Sequence, residues 1–353
     1  MIRADDRLSY PAMNDLSFKL ARLLADGSFH SGAVLAREFG VSRGTIWNAV
    51  RALERAELEV YKVRGRGYKL SAAVSMLDAA NIERRVQACA SPLTIEIIDT
   101  ASSTNTLLME RARAGARSGT VLAAEWQHDG RGRMGRPWHA GLGRALTFSI
   151  LWRFTQGAAA MSGLSLAVGV ALVRAIRALG ASKTVLKWPN DVLWQDRKLA
   201  GILIEMQGDA LGPSAVVIGI GLNVRLSGAM LARIDQPAAD LETACGHTLD
   251  RSEVLGSLLT ELVGVLNGFS DAGFAPLRKE WERYHGSQCQ SITITFSAGK
   301  SEQGEALGVA DDGALLFRTG DLVRALHSGE VSVRPVAPAP VAGLAKFKAK
   351  TGS

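Results

Sequence analysis

Three glycines and three arginines share one short stretch of the chain, Gly130-Arg131-Gly132-Arg133-Met134-Gly135-Arg136-Pro137-Trp138. Glycine lets the main chain approach a ligand closely, and a guanidinium group binds phosphate or carboxylate through two parallel hydrogen bonds. The stretch is therefore predicted to be an anion-binding loop. A solvated basic turn is the alternative, because short basic motifs often occur without a ligand.

The same stretch matches the Gly-x-Gly-x-x-Gly spacing of dinucleotide-binding loops. That interpretation requires a helix to begin at the last glycine and an acidic residue to follow about 20 residues later. Pro137 follows almost at once, and residues 146–155 contain no Asp or Glu. The sequence therefore disfavours a dinucleotide site.

Two charged residues further along are also candidates. Lys198 precedes the apolar residues 199–204, so its ammonium group can be directed from a strand start into a cleft, although strand-end lysines are commonly solvated. Asp191 follows Pro189 and Asn190, where its carboxylate suits either Mg²⁺ binding or an Asn-Asp turn.

Short polar and aromatic residues leave similar alternatives open. Ser103 and Thr104 could contact a ligand or cap the following helix. Trp138 and Trp188 could stack on a ligand, but large aromatic side chains more often belong to the core.

The elements that must position these residues alternate between strand and helix patterns from residue 94 onward. The patterns predict strands at 95–99, 121–126, 146–152 and 216–220, and helices at 106–113, 164–179 and 252–269. A strand entering a turn at Asn190-Asp191 and a second strand beginning near Lys198 complete the set. This order favours an α+β domain over a doubly wound parallel sheet.

The N-terminal region shows a winged helix-turn-helix pattern. Helices are predicted at 16–24, 31–39 and 43–55, followed by a hairpin with the tip Arg64-Gly65-Arg66-Gly67. Between residues 43 and 69, seven basic side chains face three acidic ones, which suits contact with DNA phosphates. A protein-interaction or vestigial module is the alternative. The candidate DNA contacts are Ser42, Arg43, Thr45, Trp47, Asn48, Arg51, Arg64 and Arg66.

Bulk composition sets wider limits. A length of 353 residues predicts two to three domains, and the net charge of +7 favours polyanionic partners. The three cysteines are far apart, and neither CxxC nor HExxH occurs, so no disulfide framework or zinc site is predicted. The most apolar run, residues 158–173, is shorter than the roughly 20 residues that span a bilayer and is predicted to be a buried helix. We therefore expect a cytoplasmic protein without a membrane partner.

Taken together, five motifs in this order resemble the biotin–protein ligases, specifically the bifunctional class that also represses the biotin operon. The motifs are Ser103-Thr104-Asn105 and residues 130–138, 187–191, 197–205 and 219–223, and the resemblance extends from Leu16 to Arg334. It implies an α+β fold with an N-terminal winged helix-turn-helix, a central class II synthetase-like mixed α/β domain and a small C-terminal SH3-like β-barrel. The implied segments are 1–72 (winged helix), 73–92 (linker with a short helix), 93–286 (catalytic domain) and 287–334 (C-terminal domain). The tail, 335–353, has no counterpart in the family, and its Ala-, Pro- and Lys-rich composition predicts disorder.

The resemblance also implies a reaction. Biotin and MgATP would form biotinyl-5′-AMP, from which biotin passes to a lysine of a biotin carboxyl carrier protein, and the adenylate would act as corepressor on operator DNA. A homodimer is implied for the ligand-bound state. Arg133 and Lys198 would be catalytic, and Asp191 would be a Mg²⁺ ligand. The implied biotin-binding residues are Ser103, Thr104, Asn105, Gln127, Arg131, Gly132, Arg133 and Lys198; the implied nucleotide-binding residues are Arg136, Trp138, Lys187, Asn190, Asp191, Gly219 and Asn223.

Three other functions remain open at this point. One is a ligase whose winged helix does not bind DNA, another is a metabolite-sensing regulator without catalysis, and a third is a lipoate or other acyl ligase. Two departures from the family pattern bear on them. Asn48-Ala49 replaces a Lys-His pair in the third helix, and Met134 takes a loop position that is often polar or basic.

Overall fold

The structure, a computed structural model, describes residues 13–56, 58–71, 74–208, 212–296, 299–327 and 331–335. The predicted disordered tail lies outside these ranges, apart from Pro335, which ends the last strand.

The N-terminal domain is a three-helix bundle with a β-hairpin wing, as predicted. Its elements are α1 (Asp15–Leu24), α2 (Gly32–Glu38), α3 (Arg43–Arg55), β1 (Val60–Val63) and β2 (Gly67–Leu70). Ser31 and Ser42 cap α2 and α3, since their side chains accept hydrogen bonds from the first-turn amides of Ala33 and Thr45. Because these signals are local, they could be recognised in the sequence.

A seven-stranded mixed sheet forms the central domain. The strand order is β3-β4-β7-β11-β10-β9-β8, in which only β3 and β4 run parallel. This arrangement confirms the predicted α+β class. The strands are β3 (Thr94–Ala101), β4 (Thr120–Gln127), β7 (Ala145–Phe154), β8 (Thr184–Lys187), β9 (Asp191–Trp194), β10 (Arg197–Gly208) and β11 (Ser214–Asn223), with the two-residue pair β5 (Gly130–Arg131) and β6 (Pro137–Trp138) forming a separate hairpin.

Helices cover both faces of this sheet. On one face, α6 (Leu164–Ala178) and α9 (Arg251–Ala272) share the main hydrophobic core with side chains such as Phe148 and Ile218. On the other face, α5 (Thr104–Arg113) packs Leu108 against Leu122 and Val217. The shorter helices are α4 (Ala79–Val86), α7 (Gly228–Leu231), α8 (Leu241–Cys245) and α10 (Arg278–Tyr284).

The apolar segment around α6 corrects one sequence-based argument. Residues 158–178 are long and apolar enough to span a membrane by length and composition, so the argument from insufficient length was wrong. The segment is nevertheless a core helix in this fold, since most of it is buried inside the protein. Burial in the core explains its hydrophobicity.

A second correction concerns the turn at Asn190-Asp191. The turn comprises residues 188–190, and Asp191 begins β9, a strand that the sequence analysis missed. The link from β9 to β10 is a tight turn through Gln195 and Asp196, whose φ angles are 49° and 59°. Turns in this left-handed region usually contain glycine or asparagine, so the hairpin lacks its usual local signal.

The C-terminal domain is a five-stranded antiparallel sheet in the order β15-β14-β13-β12-β16. Its strands are β12 (Gln290–Phe296), β13 (Ser301–Val309), β14 (Leu315–Thr319), β15 (Leu322–Leu326) and β16 (Val331–Pro335). A tight turn through Asp311 and Asp312 connects β13 to β14. The edge strand β15 was missed because its first two residues, Leu322 and Val323, are exposed and give no inward-outward alternation.

A buried ion pair fastens the linker to the central domain. Arg251 and Glu125 are almost completely buried, and their side chains lie 2.7 Å apart. Glu125 also accepts the main-chain amide of Leu77, while Arg251 donates to the carbonyl of Ser75. Next to Glu125, Trp126 joins the hydrophobic cluster of the winged-helix domain. One end of β4 therefore holds the linker and the N-terminal domain together.

Candidate active site

A cavity of about 540 Å³ lies above the central sheet, beneath the arginine-glycine stretch. Fourteen of the fifteen residues predicted to bind biotin or nucleotide line it: Ser103, Thr104, Asn105, Gln127, Arg131, Gly132, Arg133, Arg136, Trp138, Lys187, Asn190, Asp191, Lys198 and Gly219. The structure thus brings together residues that are up to 116 positions apart in the chain. Asn223 is the exception.

Uncharged polar groups form one end of the cavity. Gln127 Oε1 accepts the main-chain amide of Thr104 at 2.9 Å, and Ser149 Oγ lies 2.7 Å from Thr104 Oγ1 and 2.6 Å from Asn105 Oδ1. The Ser149 hydroxyl is the donor to both oxygens, and Thr104 Oγ1 in turn donates to Gln127 Oε1 at 3.3 Å. These buried side chains are held in fixed orientations, which suits recognition of a neutral polar ligand.

Two glycines make room on the cavity floor. A Cβ at Gly219 would lie 2.1 Å from Asn105 Oδ1, and a Cβ at Gly221 would lie 2.3 Å from the Trp138 ring. Both glycines belong to β11, opposite Leu203 and Gly201 of β10. The floor is therefore flat enough for the Asn105 amide and the Trp138 indole to lie directly on the sheet.

The arginine-glycine stretch is a short hairpin. Gly130 pairs with Trp138 and Arg131 with Pro137, and the amide of Gly132 donates to the carbonyl of Arg136 at 2.7 Å. The tip is a three-residue 3₁₀ turn in which Met134 has a φ of 56°. No helix begins at Gly135, which agrees with the rejection of a dinucleotide site. The hairpin places its arginines over the cavity.

Cations converge on the opposite end of the cavity. Arg133 donates to Asn190 Oδ1 at 3.3 Å, and burial lowers its pKa while Asp191 acts in the opposite direction. Burial likewise lowers the pKa of Lys187; Asp191 opposes this effect, and the neighbouring charges of Lys198, Arg334 and Arg136 add to it. This mutual repulsion among half-buried cations favours the binding of an anion.

Lys198 is fixed at the centre of these charges. Its ammonium group lies 2.7 Å from the Asp191 carboxylate and 5.8 Å from the centre of the Trp138 ring. The side chain is 18% exposed, and its main chain pairs with the segment around Ala238. The predicted position at a strand start is confirmed, since β10 begins at Arg197. Lys198 is thus directed into the cavity rather than into solvent.

The two tryptophans have different environments. Both rings contribute to the cavity lining, but Trp188 is 2% exposed and donates from Nε1 to the carbonyl of Gly313 at 3.0 Å, so most of it belongs to the core. The buried Nε1 of Trp138 has no hydrogen-bond acceptor among the described residues, and it faces Gly221, where a Cβ would lie 2.7 Å from it. Trp138 therefore offers a ring face to a ligand.

The acidic residues in the described part of the chain do not form a metal-binding cluster by themselves. Among the described residues, no group of three or more His, Cys, Asp or Glu side chains could hold a metal ion. Asp191 is already paired with Lys198. A metal ion would have to arrive with most of its ligands supplied by another molecule.

Asn223 lies beside the cavity without lining it. Its Nδ2 donates to the carbonyls of Ala239 at 3.1 Å and Lys198 at 3.4 Å, and the side chain is 3% exposed. The predicted nucleotide contact stays a prediction, whereas the observed contact connects the segment at Ala239 to Lys198.

Several lining or supporting residues were missed by the sequence analysis. Ser149 was recognisable as a lone polar residue between Phe148 and Ile150 of a buried strand. Arg334 and the segment at Pro237 line the cavity from distant parts of the chain. Only tertiary packing places them there, and no local pattern marks them.

The predicted DNA-binding residues form an exposed basic surface on α3 and the wing. All eight are exposed, although Ser42 and Thr45 also cap α3. The Arg51 guanidinium lies 4.9 Å from the Trp47 ring centre, and Arg66 lies 4.2 Å from the ring centre of Phe29. These stacked arginines are the arrangement expected of a surface that binds a polyanion.

Comparison with known proteins assigns each domain. The model of the biotin/lipoate A/B protein ligase family matches residues 97–223, an HTH domain model matches 16–69, and the biotin protein ligase C terminal domain model matches 290–334. All three matches lie within the corresponding structural domains described above.

Similar proteins and a similar solved structure agree with the domain matches. The bifunctional ligase/repressor BirA of Escherichia coli (strain K12) is 36% identical over 321 residues, which cover 91% of this chain and 98% of that protein. The biotin--[acetyl-CoA-carboxylase] ligase of Paracoccus denitrificans is 35% identical over 222 residues, covering 61% and 90% respectively. The structure of biotin protein ligase from Aquifex aeolicus in complex with biotin and ATP matches with a TM-score of 0.59 and 26% identity, covering 69% of this chain and 99% of that chain. This chain belongs to the family of the bifunctional ligase/repressors.

Proposed function

We propose that this chain is a biotin–protein ligase that forms biotinyl-5′-AMP from biotin and ATP and transfers biotin to a lysine of a biotin carboxyl carrier protein. The observation that carries the proposal is the division of the cavity. A neutral hydrogen-bonding end adjoins a cluster of half-buried cations around Lys198. A ligand with a neutral polar head and an acidic tail, next to a polyphosphate, matches that division.

The two ends have different roles in the reaction. Thr104, Asn105 and Gln127 bind the polar ring of biotin, which directs its carboxylate towards Lys198. Lys198 and Arg133 then hold the carboxylate and the α-phosphate together against their mutual repulsion. No general base is needed for this attack, because a carboxylate is already ionised at neutral pH.

The hairpin of residues 130–138 protects the product. A mixed carboxylic–phosphoric anhydride is hydrolysed readily, so a lid that excludes water preserves it until the acceptor lysine arrives. Trp138 stacks on the nucleotide, with Arg136, Lys187 and Asn190 around its phosphates. Mg²⁺ enters with ATP as part of the substrate, and the Asp191 carboxylate, which lines the cavity beside Lys198, is its candidate protein ligand.

Incubation of the protein with biotin, MgATP and a biotin carboxyl carrier domain tests the proposal. The expected result is a gain of one biotinyl group on the carrier, measured by mass spectrometry, with release of pyrophosphate. A competition assay with lipoate distinguishes a biotin ligase from a lipoate ligase. Transfer of lipoate but not biotin, or no pyrophosphate release at all, would contradict the proposal.

We further propose that the adenylate-loaded protein forms a homodimer that binds operator DNA and represses biotin synthesis in the cytoplasm. The exposed basic face of α3 and the wing supports this second activity. A gel shift on the biotin-operon region, with and without biotinyl-5′-AMP, is the test. Ligand-dependent, salt-sensitive binding is expected; a ligase without such binding would have a winged helix that no longer represses.

A further inference from the structure

Glu205 lies on β10 at the edge of the cavity and has no role in the reaction as proposed above. Residues at alternate positions of a strand share a face, so Glu205 shares its face with Gly201 and Leu203, which line the cavity. Its carboxylate is partly buried, with 32% of the side chain exposed. Its two oxygens contact two separate parts of the site.

One oxygen fixes the Asn105 amide. Asn105 Nδ2 donates to Glu205 Oε2 at 2.8 Å and to the carbonyl of Leu203 at 3.2 Å. Because a carboxylate can only accept hydrogen bonds, the amide nitrogen must point towards Glu205. The amide oxygen then points towards Ser149, whose hydroxyl lies 2.6 Å away. Glu205 and the Leu203 carbonyl, which are both acceptors only, together select one of the two amide orientations.

The other oxygen holds the stem of the hairpin. Arg131 Nη2 lies 3.2 Å from Glu205 Oε1 and donates to Thr106 Oγ1 at 2.9 Å. Arg131 is the last residue of β5, directly before the tip that carries Arg133. The position of the hairpin over the cavity therefore depends on a carboxylate that also contacts the floor.

We infer that Glu205 is a positioning residue that couples the orientation of Asn105 on the cavity floor to closure of the Arg131 hairpin. The inference rests on the proposed function, because it assigns biotin to the Asn105 end. While Glu205 Oε2 accepts from the Asn105 amide, the carboxylate is held where its other oxygen, Oε1, accepts from Arg131. Loss of its charge weakens both contacts at once, whereas Lys198 keeps its partner Asp191 and Arg133 keeps its own hydrogen bond to Asn190.

Replacement of Glu205 by Gln tests this coupling, and Glu305→Gln is a matched control. The Glu305–Arg318 pair of the C-terminal sheet has the same side-chain exposures, 32% and 46%, as the Glu205–Arg131 pair. For E205Q we expect the KM for biotin to rise roughly five- to twentyfold with kcat within about twofold. We also expect faster tryptic cleavage within residues 131–136 in the presence of biotin. E305Q should match the wild type in both measurements.

Arg131→Gln approaches the same contact from the other side and keeps the test valid if E205Q is unstable on heating. The double variant should show less than the product of the two single effects on KM, because the singles remove a shared contact. Multiplicative effects, or a KM and cleavage rate in E205Q equal to those of E305Q, would overturn the inference. Absence of biotin-dependent pyrophosphate release in the wild type would instead contradict the proposed function.

Discussion

The cavity and the winged helix both collect positive charge, but they do so in different ways. In the cavity, Lys198 is 18% exposed and paired with Asp191, and the pKa of Lys187 is lowered by burial. On α3 and the wing, the arginines are exposed, and Arg51 and Arg66 lie against aromatic rings. Buried charges interact strongly at short range, whereas exposed charges are screened by salt. The first arrangement suits stabilisation of one reacting anion, and the second suits a long, repetitive polyanion.

The strongest test of this difference is Lys198→Ala. Adenylation should fall by roughly 10²–10³-fold or more, because Lys198 stabilises charge at the reacting centre and its loss leaves Asp191 beside the phosphate. Pyrophosphate release is the measurement. Lys300→Ala is the control, since Lys300 also pairs with a carboxylate, at 3.0 Å from Glu302, but is 75% exposed. Near-wild-type activity of Lys198→Ala would show that the buried charge of the cavity contributes no more than an exposed charge does.

Space on the cavity floor should matter almost as much as charge. In Gly221→Ala the new Cβ would lie 2.3 Å from the Trp138 ring, and overpacking of this kind typically costs about 1–3 kcal/mol. We expect weaker nucleotide binding by isothermal titration calorimetry. Gly264→Ala, where a Cβ would meet nothing within 4 Å, should bind nucleotide normally. Equal affinities of the two variants would show that nucleotide binding does not depend on the close contact between the Trp138 ring and Gly221.

Substitutions on the exposed surface of α3 should have smaller effects on binding, and these effects should depend on salt concentration. Arg51→Gln should weaken operator binding and reduce the slope of log K against log[salt] by about 1, as expected for the loss of one phosphate contact. Fluorescence anisotropy at several salt concentrations measures both quantities. Carrier biotinylation should stay at the wild-type rate, and Arg318→Gln on the C-terminal sheet should leave the salt slope unchanged. An unaltered slope in Arg51→Gln would show that Arg51 does not contact a DNA phosphate.

The smallest expected effect concerns pH. Because burial disfavours the charged form of Lys187, its pKa lies below the usual lysine range, and its charge is lost first as the pH rises. Pyrophosphate release should therefore decline on the alkaline side, and Lys187→Arg should move that decline to higher pH. At the pH where the wild type has lost half its activity, the variant should be about twofold more active. Identical alkaline limbs would show that Lys187 does not hold an anion.

Local signals allowed most of the N-terminal domain to be predicted. The caps Ser31 and Ser42 and the glycines of the wing are read from neighbouring residues alone, and the structure confirms those elements. The hairpin at Gln195 and Asp196 was missed because these residues adopt positive φ angles without the usual glycine. Sequence patterns therefore identify an element well when its ends carry their own signals.

The residues of the cavity were predicted less completely than the elements of the N-terminal domain. Lys198 and Arg133 belong to contiguous motifs, so they could be named before the fold was known. Arg334 and Glu205 take part only because separate segments meet in three dimensions. The sequence also gave no means to foresee that the Asn223 amide binds main-chain carbonyls. Roles that depend on tertiary contacts were thus the ones that the sequence left open.

The cavity also has a consequence for the timing of synthesis. Its walls include Ser103 as well as Val333 and Arg334, which follow it in the sequence by 230 positions or more. The winged helix, by contrast, is complete once residue 70 has left the ribosome. A growing chain can therefore fold its DNA-binding domain long before the catalytic cavity is closed. The acyl-transfer site becomes whole only after residues 333 and 334 have been added.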